Sequence, residues 1–362
     1  MNIELLRKHI SHYRSWLASN PEEAKAEIKE RAERRAFYQS WTRQKLAAMS
    51  MEDISKYLAD LWAMRMWGNR QHRVDKIVAG NGLDVLRAQL ADLMWGEAPL
   101  AKRWDAFRAK ISRVGPAMMS EMLCHTHPEK CLLWNRRALV AFQTLGVDNP
   151  PRHDYQLTGK KYEDLTKNGH EIAAEMSKAG IKDFDLLSVD YFIWRELQPE
   201  GDLTSVIGTA KTSEPVVEKV DKPTAEFIHN EVRDKLGEIG DWLGFDTDTE
   251  VRVADGAKVD ASWEATIGNL GRVIYVFEVQ TKGSIDSLLM NLLKSLNNPA
   301  VQGAVAVSDA KQLEVIRKEA KAVAGLRDKL KYWDYQEVLA VHEALRGVNE
   351  SINRLGLVPD SF

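Results

Sequence analysis

The stretch that decides the fold of this chain lies in its last third. It reads Lys258-Val259-Asp260 and then Val273-Ile274-Tyr275-Val276-Phe277-Glu278-Val279-Gln280-Thr281-Lys282-Gly283. The second segment is apolar and rich in β-branched residues, which is typical of a strand. Alternate side chains of a strand point to the same face, so Glu278, Gln280 and Lys282 are predicted to share one face of a sheet.

A hairpin would bring Asp260 to the same place. Asp260 lies in an earlier strand-like run, 258–265, and the turn-forming residues 267–271 can fold the two runs against each other. Mg²⁺ prefers oxygen ligands and is usually held by one or two carboxylates with waters and phosphates. A metal held there can polarise a phosphodiester and activate water. A simpler interpretation is an ion pair between Glu278 and Lys282 on an edge strand, with Asp260 exposed.

The order of the predicted elements favours the metal interpretation. Helical periodicity covers 225–243, and a turn signal at 255–256 follows a strand-like run. The further predicted elements are a strand over 249–253, the two strands above, a helix over 285–296, a buried strand over 300–307 and a helix from Ser308-Asp309 onward.

These motifs and their order resemble the PD-(D/E)xK nuclease superfamily over residues 224–322. Val259-Asp260 corresponds to the "PD" and Glu278-Val279-Gln280 to the "(D/E)xK". Gln280 stands where the family usually has lysine, although some restriction enzymes of the superfamily carry Glu-x-Gln. Lys282, one pleat further along, would supply the missing positive charge to the transition state.

The resemblance implies Mg²⁺ as cofactor, which Mn²⁺ can replace, and a role for several residues. Asp260 and Glu278 would hold the metal, with the carbonyl of Val279 as a further ligand. Gln280 would orient the attacking water. Glu231, on the first helix, would hold a second metal or a metal-bound water.

The chain is predicted to have more than one domain, of class α + α/β. Residues 1–198 are nearly all helical in pattern, and 199–223 contain the prolines, glycines and alternating charges of a linker. Residues 224–362 are predicted to form a restriction-endonuclease-like α/β/α domain with a mixed central sheet.

The helical domain carries a pattern of its own. Helical runs over 104–111 and 117–124 flank the turn Ser112-Arg113-Val114-Gly115-Pro116, which could present backbone N–H groups to a DNA phosphate. Residues 100–147 resemble helix-hairpin-helix DNA glycosylases, but Asn135 replaces the catalytic aspartate and Ala117 the nucleophilic lysine. The predicted DNA-binding residues are Arg113, Gly115, Asn135, Arg136, Arg137, Arg70 and Arg73.

Charge is divided unequally along the chain. Residues 1–150 hold 24 Lys+Arg against 17 Asp+Glu (+7), and residues 151–362 hold 26 against 36 (−10). A basic first domain suits phosphate contacts. Two cysteines, no apolar run of membrane-spanning length and no signal-peptide core at the N-terminus predict a cytoplasmic protein without a membrane partner.

The resulting hypothesis is a metal-dependent DNA endonuclease with an N-terminal recognition domain, in restriction or anti-phage defence. Cleavage of both strands would favour a homodimer. The first alternative is a catalytically silent nuclease-like scaffold whose helical domain recognises modified or damaged DNA. The second is base excision by the helical domain, which requires a carboxylate near Asn135. Its candidates are Asp105, Glu121, Glu129 and Asp148.

Overall fold

The computed structural model describes residues 1–64, 70–181, 185–197, 225–267, 271–281, 284–323, 325–327 and 329–354. The chain divides into two compact units, one containing the described residues up to 197 and the other those from 225 onward. The predicted linker 199–223 and Lys282 lie outside the described residues. Fifteen α-helices and one five-stranded mixed sheet in the described residues confirm the coarse prediction of a helical part and an α/β part.

All regular secondary structure described in the N-terminal unit is helical, as predicted. Its helices surround one apolar core, and α8 is buried along almost its whole length, including the polar side chains of Ser120, Glu121 and His125. The helices are α1 Ile3–Ser19, α2 Pro21–Gln39, α3 Arg43–Ala47, α4 Met51–Ala59, α5 Arg70–Asn81, α6 Leu83–Trp95, α7 Leu100–Lys110, α8 Pro116–Thr126, α9 Arg136–Thr144, α10 Gly159–Lys178 and α11 Leu186–Glu196, with 3₁₀ turns at Trp62–Met64 and Asp154–Gln156.

The C-terminal unit is built around a sheet whose strands lie in chain order, β1-β2-β3-β4-β5. The first three strands form an antiparallel meander, and β3, β4 and β5 run parallel to one another. The elements are α12 Ala225–Trp242, β1 Asp246–Ala254, β2 Ala257–Ile267, β3 Gly271–Val279, α13 Ile285–Ser295, β4 Val301–Ser308, α14 Ala310–Ala320, β5 Leu330–Asp334 and α15 Tyr335–Arg354.

Two apolar cores lie on opposite faces of this sheet. One contains Leu288 and Leu292 of α13 with Ile316 of α14, and the other contains Leu236 of α12 with Val338 of α15. The sheet is therefore covered by helices on both faces, in a three-layer α/β/α arrangement. Strand β5 is not among the elements that the sequence predicts.

Candidate active site

Asp260 and Glu278 meet where β2 pairs with β3. The antiparallel register runs from Ile267 opposite Gly271 to Ala261 opposite Phe277, so the next pair along is Asp260 with Glu278. The Val279 N–H donates to Oδ2 of Asp260 at 2.7 Å. The predicted hairpin therefore brings the two carboxyl groups into direct interaction.

Glu278 is buried with an unsatisfied oxygen. The residue is 8% exposed, and its Oε1 has no hydrogen-bond partner among the described residues. Burial, reinforced by the neighbouring charge of Asp260, raises the pKa of Glu278 to about 9, while a hydrogen bond with Asn291 of α13 acts in the opposite direction. Burial and the charge of Asp260 thus disfavour ionisation of this carboxyl group, and a bound cation would favour it.

A histidine that the sequence interpretation did not select contacts Asp260. The Nε2 atom of His229, on α12, lies 3.2 Å from Oδ1 of Asp260. Burial opposes ionisation of Asp260, but the hydrogen bond and charge of His229, with the N–H of Val279, outweigh it and lower the pKa of Asp260. Burial also acts against the charged imidazole, yet the same contact with Asp260 raises the pKa of His229.

The predicted ligand Glu231 lies on another side of α12. Two residues along a helix correspond to a rotation of about 200°, so His229 and Glu231 point in different directions. Glu238, seven residues after Glu231 and on the same side, accepts a hydrogen bond from His342 of α15 at 2.6 Å. The side chain that α12 presents to Asp260 at hydrogen-bonding distance is therefore His229.

Gln280 follows the end of β3 and points inward. Its N–H donates to the carbonyl of Val307 at 2.8 Å, and its carbonyl accepts from the Ser308 hydroxyl at 2.5 Å. The side chain is 7% exposed, and its Nε2 is buried without a partner among the described residues. Glu278 and Gln280 are two positions apart, so a buried acceptor and a buried donor are left unpaired along one edge of the site.

Charged neighbours hold β1 and β2 in place around Asp260. Arg233, nearly fully buried on α12, pairs with Glu250 at 2.7 Å and with Asp234 at 2.9 Å. Glu250 also pairs with Lys258 at 2.8 Å. The register places Glu250 opposite Asp260, and its φ is +53°, which is uncommon for a residue other than glycine.

The residues present fit a hard divalent cation with few protein ligands. Among the described residues, no group of three or more His, Cys, Asp or Glu is arranged to hold a metal ion. A Mg²⁺ site needs only one or two carboxylates, however, because waters and substrate phosphates complete its octahedron. Asp260 and the unsatisfied Oε1 of Glu278 provide oxygen donors of that kind.

In the N-terminal unit, the two predicted helices are present as α7 and α8, and residues 111–115 connect them. Two of the predicted DNA contacts need correction, since Arg73 and Arg113 are 3% and 4% exposed. Arg73 donates to the carbonyl of Arg113 at 3.4 Å. A Cβ on Gly115 would lie 3.5 Å from Oδ2 of Asp154. One side of the turn thus faces internal groups, including a carboxylate, while Ser112 and Gly115 remain partly exposed.

The stretch after the turn has a structural role that accounts for Asn135. Its side chain caps α9, accepting from the N–H of Ala138 at 3.0 Å. Arg136 is half-buried, and so is Arg70 at the start of α5. Arg137 is exposed and lies over the ring of the exposed Trp194 at 4.8 Å. Of the predicted DNA contacts, Arg137 is the one whose charge is most accessible.

The carboxylates considered for base excision are engaged elsewhere or exposed. Asp105 accepts from the N–H of Gly159 at 2.8 Å. Glu121 accepts from the N–H groups of Trp62 and Ala63, at 2.5 and 2.9 Å. Glu129 pairs with Lys130 at 3.9 Å, and Asp148 is exposed. None of these contacts involves Asn135.

No family model matches the chain, and no curated protein or solved structure is significantly similar to it. None of the helices in the described ranges is long and apolar enough to cross a membrane.

Proposed function

We propose that the protein is a metal-dependent DNA endonuclease whose active centre is the Asp260–Glu278 pair. The observation that carries this proposal is the buried Oε1 of Glu278, which lies without a partner beside a second carboxylate. Burying an unpaired acceptor costs free energy, and a like charge beside it adds to that cost. A divalent cation would offset both contributions.

Mg²⁺ or Mn²⁺ bound there would supply Lewis-acid activation of the phosphodiester and of a water molecule. Asp260 and Glu278 would provide the ligands, and the N–H of Val279 fixes the orientation of the Asp260 carboxylate. The buried amide of Gln280, whose Nε2 has no partner among the described residues, would orient water at the end of β3. His229 would retain or release a proton beside Asp260 as the charge of the site changes.

The helical unit would contribute DNA recognition, with the exposed Arg137–Trp194 pair as its most accessible cation and aromatic ring. A nuclease with a recognition domain suits restriction or anti-phage defence in the cytoplasm, by analogy of domain arrangement. A homodimer would place two such centres on the two strands of a duplex.

Plasmid cleavage tests the proposal directly. Unmodified and phage-modified plasmid DNA are incubated with Mg²⁺ or Mn²⁺ and with wild type, Asp260→Asn or Glu278→Gln. The matched controls are Asp255→Asn, in an exposed turn, and Glu264→Gln, a half-buried β2 residue that pairs with Arg272 away from the site. The proposal is supported if both site variants reduce the cleavage rate at least about 100-fold while both controls retain it. Cleavage unaffected by either site variant contradicts it.

The contact of His229 with Asp260 favours a second candidate function. The imidazole of His229 occupies a position beside Asp260 that a metal would compete for, and Gln280 stands where the PD-(D/E)xK nucleases usually have lysine. These features suit a silent scaffold beside a DNA-binding helical unit. Such a scaffold would bind plasmid DNA without cutting it under any metal condition, and the two site variants would leave binding unchanged.

A further inference from the structure

A basic cavity of about 360 Å³ lies in the C-terminal unit, between the end of α14 and the edge strand β5. Its lining consists of Arg317, Lys321, Arg327 and Tyr332. The three cations are exposed and the tyrosine is half-buried. A concave surface lined by three donors of one charge and an aromatic ring is suited to an anion.

Contacts other than ion pairs hold two of these cations in place. The guanidinium carbon of Arg317 lies 4.7 Å from the ring centroid of Tyr332. Arg327 donates to the backbone carbonyl of Lys321 at 3.0 Å. A planar guanidinium that stacks on a ring keeps its edge donors available for a phosphate. The cavity is therefore partly preorganised.

The positive charge of the cavity is not neutralised locally. None of the three cations forms an ion pair with an acidic residue in the described part of the chain. Residues 310–331 contain 7 Lys+Arg against 3 Asp+Glu, or +4, whereas residues 151–362 as a whole carry −10. The cavity is thus a local basic site in the acidic part of the sequence.

Tyr332, the strand residue of the cavity, lies two strands away from Glu278 in the sheet. Glu278 on β3 is opposite Ala306 on β4, and Ala306 is opposite Tyr332 on β5. Two inter-strand steps separate Tyr332 from Glu278, which is about 10 Å across the sheet.

We propose that this cavity binds a backbone phosphate of the nucleic acid, away from the phosphodiester that reaches Asp260 and Glu278. The identity of the ligand as nucleic acid rests on the proposed function, whereas the cavity and its charge do not. Arg317 and Arg327 would donate to the phosphate oxygens, and Lys321 would add a positive charge.

The test is fluorescence anisotropy of a labelled DNA duplex with the full chain in EDTA, in a Glu278→Gln background that removes cleavage from the measurement. Arg317→Gln, Lys321→Gln and Arg327→Gln are compared with Lys311→Gln and Lys318→Gln. The last two remove the same charge from exposed positions of α14 that do not line the cavity. Arg327→Lys tests whether charge alone is sufficient.

Each cavity variant is expected to weaken binding about 3- to 10-fold and to reduce the slope of log K against log salt by about 0.9, while the controls change binding less than 2-fold. Equal losses in cavity and control variants, or none in either, would overturn the proposal. Unchanged thermal unfolding of the exposed-site variants confirms that each is folded.

Competition experiments identify the ligand. Inorganic phosphate, a mononucleotide and unlabelled duplex are each added as competitors at the same phosphate concentration. If the small anions compete as well as the duplex does, the cavity is a small-anion site and the nucleic-acid assignment is overturned. DNA binding is measured without metal and in the same Glu278→Gln background for every variant. A difference in affinity between variants therefore cannot come from a loss of cleavage. Failure of the cavity proposal and failure of the nuclease proposal are therefore distinguishable.

Discussion

The Nε2 atom of His229 lies 3.2 Å from Oδ1 of Asp260, so a helix and a strand meet through an imidazole and a carboxylate. The contact raises the pKa of His229 and contributes to the lowered pKa of Asp260. Without a metal, the imidazole of His229 is thus the partner of one carboxylate of the pair. The other, Glu278, remains neutral.

His229→Asn should lower the free energy of unfolding by about 1 kcal/mol near pH 6 and by much less near pH 9. A raised pKa means that this stabilisation is complete below the unfolded value, about 6.5, and is lost as the pH rises through the folded value. Urea unfolding in EDTA at both pH values measures the difference in the free energy of unfolding between the variant and wild type. In an Asp260→Asn background the pH dependence should disappear; its persistence would assign the effect to another partner.

Glu278→Gln should flatten the dependence of stability on pH in the metal-free protein. The folded pKa of about 9 exceeds the ordinary value of 4.5, so the contribution of Glu278 is complete below about pH 4.5 and is lost progressively as the pH rises through 9. Wild type should lose roughly 2–4 kcal/mol over this range. Urea unfolding of Glu278→Gln beside the exposed-site control Glu314→Gln measures the difference, and equal slopes in both would refute the assignment.

Mg²⁺ or Mn²⁺ should stabilise the wild-type protein against unfolding. A ligand that binds only the folded state contributes about 2.7 kcal/mol at 100 times its dissociation constant. Asp260→Asn and Glu278→Gln should lose most of the metal-linked rise in Tm, while Glu264→Gln should keep it. Calorimetry with and without metal makes the comparison. An equal rise in all four proteins would indicate unspecific binding of the ion.

Gly240→Ala should destabilise the C-terminal unit by roughly 1–3 kcal/mol. A Cβ at this position would lie 2.5 Å from Cγ2 of Thr247 and 2.6 Å from Cδ1 of Trp263, so α12 would have to move away from β1 and β2. Chemical denaturation followed by tryptophan fluorescence measures the loss. At Gly80 a Cβ would be 3.6 Å from Oγ of Ser112, so Gly80→Ala serves as the control without a clash and should cause no loss.

Asn135→Ala should cost about 1 kcal/mol in the N-terminal unit, since it removes the cap of α9. Asn135→Asp should keep the stability, because a carboxylate also accepts at a helix N-terminus. DNA affinity, measured by anisotropy, should be the same for both variants and wild type. A loss of affinity in Asn135→Ala at temperatures where it remains folded would instead indicate that the amide contacts DNA.

The meander and its carboxylates were predictable because a hairpin with period-two alternation is a local property. The pairing of Ile267 with Gly271 belongs to the register that brings Asp260 to Glu278. The contact between His229 of α12 and Asp260 of β2 was not predictable in the same way. Val232, Leu236 and Ile239 define its buried side, but periodicity does not say which flank, the one with His229 or the one with Glu231, faces β2.

Burial of charge and the last strand also depend on tertiary structure. Arginines are mostly exposed, so the sequence gives no sign that Arg73 and Arg113 are inside the helical unit. Strand β5 has only five residues. A lysine-rich segment precedes it and a long helix follows it. Its pairing with β4, rather than its composition, makes it a strand.

The hydrogen bond from Val279 to Asp260 provides a reporter on a single amide. β3 has neighbours on both sides, and its backbone is expected to exchange hydrogen for deuterium slowly. The Val279 amide, however, is protected by a side-chain carboxylate. Its exchange rate follows the position of that carboxylate, so movement of Asp260 towards a ligand would appear at this one site while the rest of the strand remained protected.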